Sequence, residues 1–76
     1  MSYKVGDKVF LKVSQPYFKT SDPMPMLRPP DLVSFDELGL IVGLLPLNIV
    51  EVKFRMGTFL LQESHLQLDI ESKVVG

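Results

Sequence analysis

A proline-rich segment between residues 16 and 30 constrains the fold of this chain more than any other feature. It reads PYFKTSDPMPMLRPP and contains five of the six prolines in the 76-residue sequence. Proline lacks a backbone N–H group and fixes φ, which argues against a helix interior or a central strand here. The segment nevertheless carries large apolar side chains, which are Tyr17, Phe18, Met24, Met26 and Leu27. It therefore either folds back on a core or presents a surface to a partner.

Composition narrows the class of protein. A hydrophobic content of 46% suffices for one small core, and the absence of cysteine excludes disulfides and thiolate metal sites. A net charge of −1, without a basic run, argues against nucleic-acid binding, which depends on Lys and Arg at phosphates. We find no apolar run long enough to cross a membrane and no signal peptide at the N-terminus. The expected location is the cytoplasm, without membrane insertion.

Hydrophobic periodicity outside the proline-rich segment predicts short strands joined by turns. Alternation and turn residues place them at Lys8–Val13, Leu40–Leu45, Ile49–Phe54, Phe59–Leu61 and Gln67–Leu68. We expect a β-bulge or the close approach of another backbone at Gly43, a positive φ at Gly57 and one 3₁₀ turn over residues 62–66. This order predicts an all-β fold, an SH3-like small five-stranded barrel over residues 1–70. The proline-rich segment forms the long loop between strands one and two, and residues 71–76 form a flexible tail.

The sequence offers little for catalysis. His65 is the only histidine, and a single histidine without cysteine cannot build a zinc centre of the usual kind. Ser64 precedes it directly, but neighbours in sequence do not make a catalytic pair, so His65 is interpreted as a capping or surface residue. Asp36 and Glu37 are interpreted as a solvated turn. We therefore predict no enzyme activity, no metal and no cofactor.

The proline- and methionine-rich run from Pro16 to Asp31 closely resembles the signature of the NblS-interacting protein SipA family, which are very small cyanobacterial regulators. Further agreement comes from Val5–Val9, Gly39, Val52–Phe54 and Gly57–Leu61. The resemblance spans nearly all of residues 3–68. It implies an SH3-like barrel without catalysis that binds the catalytic and phosphoacceptor region of a sensor histidine kinase and stimulates its autophosphorylation in a stress-response pathway. It also implies a link to the downstream response regulator.

The predicted partner contacts lie mainly in the proline-rich segment of a monomeric domain. They are Tyr17, Phe18, Lys19, Met24, Met26, Leu27, Arg28, Leu47, Ile49 and Phe59. The competing interpretation is that Tyr17, Met24 and Leu27 only cover the open end of the barrel, since small domains need such cover. Three other functions remain open: a docking subunit of a photosynthetic electron-transfer complex, an RNA-binding barrel, and a peptide-binding SH3 domain.

Overall fold

The computed structural model describes residues 3–24 and 26–69, and these ranges form an all-β domain. The predicted flexible tail, residues 71–76, lies outside the described residues. The strands are β1 (Lys8–Leu11), β2 (Phe18–Thr20), β3 (Leu27–Arg28), β4 (Gly39–Leu45), β5 (Ile49–Phe54), β6 (Gly57–Gln62) and β7 (Leu66–Leu68). Two 3₁₀ helices, Pro30–Leu32 and Glu63–His65, complete the described elements. Within the described residues, no helix is long and apolar enough to cross a membrane.

All seven described strands belong to one antiparallel sheet in the order β3-β2-β6-β5-β4-β1-β7. The prediction of five strands was wrong, because the proline-rich segment contributes the hairpin β2–β3. The sheet is also open and not a closed barrel. The sheet is open at β6 because β2 pairs with this strand, through Lys19–Leu60 and Thr20–Phe59, while β7 lies at the opposite end of the sheet. The hairpin accommodates the prolines because they flank its short paired stretches and do not lie within them.

The core lies on the inward face of this sheet. Buried apolar side chains come from every strand except β3, and Val33 adds one from the long connection. They are Val9, Leu11, Phe18, Val33, Ile41, Val50, Val52, Phe54, Phe59, Leu61 and Leu66. Along β5 and β6, these buried side chains stand at every second position, as expected for strands with one face on the core.

The first strand is shorter than predicted. It ends at Leu11, and Val13 is exposed instead of joining the inward face. The reason is the partner strand: β7 begins at Leu66, and the preceding residue His65 belongs to a 3₁₀ helix. The N–H groups of Lys12 and Val13 consequently both donate to the carbonyl oxygen of His65, at 2.7 and 3.4 Å, outside a regular ladder.

Two glycine predictions are confirmed. The register between β4 and β5 shifts between Ile41 and Gly43, which is the expected bulge. Gly57 has a φ of 147° at the β5–β6 turn, a conformation that L-residues rarely adopt. The bulge turns β4 as it leaves β1, which pairs with only Gly39 and Leu40. Ile41 is bonded on the same side to the segment before β1: its N–H donates to the Asp7 carbonyl oxygen at 2.9 Å, and its carbonyl oxygen accepts from the Gly6 N–H at 2.8 Å.

Candidate protein-binding surface

The β2–β3 hairpin is held on the sheet by one buried aromatic side chain. Phe18 is 0% exposed, and its ring lies 5.2 Å from that of Phe59, centroid to centroid. Both residues were predicted as partner contacts, and both lie in the core, where Phe59 is 1% exposed. Alternation explains this placement, because Phe18 points inward from β2 while Tyr17 and Lys19, on either side of it, are exposed. Phe18 thus attaches the proline-rich segment to the domain.

The tip of the hairpin is closed by three hydrogen bonds. The Thr20 N–H donates to the Met26 carbonyl oxygen, and the Met26 N–H donates to Thr20 Oγ1, both at 2.9 Å. The Ser21 N–H also donates to the Thr58 carbonyl oxygen of β6, at 3.1 Å. The ends of the turn are therefore fixed to each other and to the sheet. This geometry limits the entropy that the turn would lose on binding.

The apolar side chains at this tip point into solvent. Met24 is 83% exposed, Met26 57% and Leu27 64%. The alternative in which the segment only covers the core therefore does not describe these three side chains. Tyr17 is half-exposed at the start of the hairpin. Exposed apolar side chains grouped on one fixed hairpin are typical of interaction surfaces.

Strand register places Leu27 in a row of side chains across the outward face. Leu27 pairs with Lys19, Lys19 with Leu60, and Leu60 with Glu51. Directly paired residues in antiparallel strands share a face and lie within side-chain contact range. The outward face thus continues from the hairpin onto β6 and β5, with apolar and charged residues alternating along the row.

Beside this row lies a cavity of about 370 Å³ that brings three predicted contact residues together. Its lining includes Tyr17 and Lys19 from the hairpin and Ile49, which lies 30 positions after Lys19 in the sequence. The other lining residues are Gln15, Pro16, Leu60, Leu61, Gln62 and His65. Sequence reasoning did not select Gln15, Leu60 or Gln62, because only the pairing of β2 with β6 brings them to the cavity.

Gln15 and His65 form the polar side of this cavity. Gln15 Nε2 donates to the Val13 carbonyl oxygen at 2.7 Å and lies 3.2 Å from His65 Nδ1. We assign the amide as the donor to Nδ1, an assignment that places a ring hydrogen on Nε2. His65, interpreted from the sequence as a capping or surface residue, thus contacts the segment that leads into the hairpin.

Leu47 occupies the tip of the β4–β5 turn in a strained conformation. Its φ is 64°, that of Asn48 is 61°, and the Leu47 side chain is 90% exposed. Left-handed backbone costs a leucine about 1–2 kcal/mol, whereas Gly and Asn adopt it readily. Leu47 also lines a second cavity of about 520 Å³, which shares Gln62 with the first. The two cavities are therefore neighbours.

Tyr3 supports the second cavity from the N-terminal segment. Its hydroxyl donates to the Leu66 carbonyl oxygen at 2.9 Å. Burial, followed by the negative charges of Glu63 and Asp7, raises the pKa of this phenol above its ordinary value. Tyr3 therefore stays protonated and remains a hydrogen-bond donor through the neutral range.

Arg28 lies apart from both of these cavities. It lines a third one of about 200 Å³ together with Asp22, Met56 and Phe59. The predicted contacts are thus distributed over the hairpin tip, the cavity beside it and the β4–β5 turn.

No group of three or more metal-binding side chains occurs within residues 3–24 and 26–69.

Comparison with known proteins identifies the family. The sequence profile of the family described as Protein CHLORORESPIRATORY REDUCTION 42-like matches residues 5–66. The chain belongs to the CRR42-like family. The match begins before β1 and ends at the first residue of β7, so the CRR42-like region includes the hairpin, the β4–β5 turn and the 3₁₀ helix that carries His65. No curated protein matches the chain, and no solved structure does.

Proposed function

We propose that this CRR42-like domain is a non-catalytic protein-binding module whose contact surface is centred on the β2–β3 hairpin. One observation carries the proposal: Met24, Met26 and Leu27 are exposed on a hairpin that Phe18 fixes to the core. Methionine side chains adapt to irregular partner surfaces, and a fixed backbone lowers the ordering cost of binding. Leu47, at the β4–β5 turn, is a further exposed apolar side chain that we include in the contact surface.

We further propose that the fold is a variant of the SH3-like barrel. Five of the strands follow the order β7-β1-β4-β5-β6, with a 3₁₀ helix between the last two in sequence. This order supports the SH3-like assignment. The β2–β3 hairpin corresponds to the long loop between the first two strands of such a barrel, and here it pairs with the edge of β6.

The partner that we propose first is the cytoplasmic part of a sensor histidine kinase. Support comes from the resemblance of residues 16–31 to the SipA signature. The same resemblance implies a link to the response regulator, which we include in the proposal. The domain would act in the cytoplasm as a monomer that prefers the autophosphorylating state of the kinase. A tenfold shift in that equilibrium requires about 1.4 kcal/mol of differential affinity.

Phosphohistidine formation in the kinase fragment tests this proposal. We expect added domain to raise the rate, and calorimetry to give a saturable binding isotherm. Leu27→Ser should weaken both effects. Val5→Ser is the matched control, because Val5 is 61% exposed but precedes β1, away from the hairpin. A flat rate and a flat isotherm with the unmodified domain would reject the kinase as partner.

A second candidate function is a docking subunit of a photosynthetic electron-transfer complex. The family name, which refers to chlororespiratory reduction, favours it. In this case the same hairpin would contact a subunit of the complex. Tagged domain should then comigrate with a thylakoid complex in fixed stoichiometry, and Leu27→Ser should release it while Val5→Ser should not. Absence from all complex-containing fractions would reject this alternative.

A further inference from the structure

The cavity of about 370 Å³ differs in charge from the other two cavities described above. Its lining contains Lys19 and no acidic residue. The cavity of about 520 Å³ combines Lys12 with Glu63, and the one of about 200 Å³ combines Arg28 with Asp22. Only the first therefore offers a cation without a carboxylate in its own wall, among these three.

The other polar side chains that line this cavity are Gln15, Tyr17, Gln62 and His65. Of these, Tyr17, Gln62 and His65 carry hydrogen-bond donors. With the Gln15 amide hydrogens assigned to Val13 and His65, the donor that the imidazole offers in this assignment is its Nε2–H. An ionised carboxylate accepts such bonds and donates none, so this rim suits an anionic ligand group.

The floor of the cavity is apolar. Ile49 and Leu60 lie on the outward face, and Pro16 and the ring of Tyr17 border them. Glu51 is the nearest acid along the row, and it lies beyond Leu60, roughly 10 Å from Lys19 by strand spacing. An apolar group thus fits beside the cation without meeting a carboxylate of the wall. The volume falls within the range of about 300–1,000 Å³ that is common for ligand sites.

We propose that this cavity binds an extended acidic peptide segment of the partner. An apolar side chain of the segment lies on Ile49 and Leu60, and a neighbouring carboxylate pairs with Lys19. The proposal rests on the protein-binding function proposed above and specifies the chemistry of the partner. The cavity should therefore prefer peptides that combine acidic residues with leucine-like apolar residues.

Two short peptides of opposite charge test this site on the whole chain. We would titrate ¹⁵N-labelled protein with acetyl-Glu-Leu-Glu-Leu-amide and with acetyl-Lys-Leu-Lys-Leu-amide. The acidic peptide should shift the resonances of the Gln15 side-chain amide, Lys19 and Leu60. The basic peptide should bind more weakly, by a factor of up to about five, because repulsion from Lys19 replaces the ion pair. Acetyl-Glu-Ser-Glu-Ser-amide should lose the apolar contribution.

Lys19→Glu should reverse the preference between the two charged peptides. Lys53→Glu is the control, because Lys53 is exposed on the same outward face but does not line the cavity. Equal binding of both peptides, shifts confined to residues 24–28, or an effect of Lys53→Glu as large as that of Lys19→Glu would overturn the proposal.

The outcome is separable from that of the proposed function. Should Leu27→Ser abolish partner binding while Lys19→Glu has no effect on it, the hairpin surface stands and the acidic-peptide site is rejected. Should the acidic peptide bind at Lys19 while neither the kinase fragment nor a thylakoid complex binds the domain, the site stands and the proposed partners are rejected.

Discussion

The rings of Phe18 and Phe59 lie 5.2 Å apart, centroid to centroid, with their planes tilted by 39°. This contact joins the proline-rich segment to β6. Phe59 also lies 6.4 Å from Phe54, so the hairpin is attached to an aromatic cluster that belongs to the central strands. The exposed tip therefore depends on a buried anchor, and the two can be separated by mutation.

The first prediction concerns this anchor. Phe18→Ala and Phe59→Ala should each lower the free energy of unfolding by about 3–5 kcal/mol. A chain of this size has about 4–11 kcal/mol in total, so both variants should be largely unstable. Denaturant unfolding of both single variants and the double variant measures their coupling, expected at about 0.5–1.5 kcal/mol. Wild-type stability of Phe18→Ala would contradict the role of this residue as an anchor.

The second prediction concerns the exposed tip. Met26→Ser, Leu27→Ser and Arg28→Ala should weaken partner binding while changing the free energy of unfolding by about 0.5 kcal/mol or less. Val52→Ala, in the core, should cost about 2 kcal/mol or more. Thermal melts and binding isotherms on the same preparations check both parts. If the tip variants melt as early as Val52→Ala, these side chains serve the core and not a partner.

The third prediction separates strain from contact at Leu47. Leu47→Asn should raise the free energy of unfolding by about 0.5–1 kcal/mol, because Asn adopts a φ near 64° at lower cost. Leu47→Ala removes the side chain and keeps the strained backbone, so it should leave stability nearly unchanged. Both should weaken partner binding if Leu47 is a contact. Destabilisation by Asn in denaturant unfolding would show that the leucine side chain supports the turn.

The fourth prediction concerns Gly39 at the start of β4. A Cβ atom there would lie 2.6 Å from Phe54 Cε1 and from Val52 Cγ1, both in the core. Gly39→Ala should therefore cost about 1–3 kcal/mol in chemical unfolding. Gly43→Ala is the comparison, because the added Cβ meets the carboxylate end of Glu51, which is flexible and able to move. Equal costs for the two variants would contradict this packing argument.

The fifth prediction concerns alkaline pH. Because the pKa of Tyr3 is raised in the folded state, the stability that its phenol contributes is fully present below the unfolded pKa of about 10. This stability is lost as the pH rises through the folded-state pKa, and the phenolate no longer donates a hydrogen bond to the Leu66 carbonyl oxygen. Tyr3→Phe should thus be less stable than wild type at neutral pH, by about 1 kcal/mol. The difference should shrink above pH of about 10, and a constant difference in unfolding free energy would contradict this linkage.

Much of the sheet could be predicted from local patterns. The alternation in β5 and β6 identifies Val50, Val52 and Leu61 as inward-facing, because one face of each strand meets the core. The bulge at Gly43 and the turn at Gly57 follow from the backbone freedom of glycine. The hairpin β2–β3 could not be predicted, since prolines argue against strands and a two-residue strand has no periodicity to detect.

The candidate site was predicted only in part. Met24, Met26 and Leu27 are conspicuous in the sequence because they are apolar among prolines, and they are exposed. Phe18 shares the same chemistry, and no local signal indicates that it points inward, whereas alternation in β6 places Phe59 on the same face as Leu61. Gln15 and His65 meet across 50 positions of sequence, which no spacing rule anticipates.

The sequence by itself determined the all-β class, the turns at glycines and the apolar character of the proline-rich segment. These depend on the backbone preferences and side-chain chemistry of neighbouring residues. Only the tertiary structure decided that the sheet stays open, that Phe18 is an anchor while Leu27 is exposed, and that Lys19 borders a cavity without an acid. Those properties arise from the pairing of β2 with β6, and strand pairing between distant segments depends on the packing of the whole core.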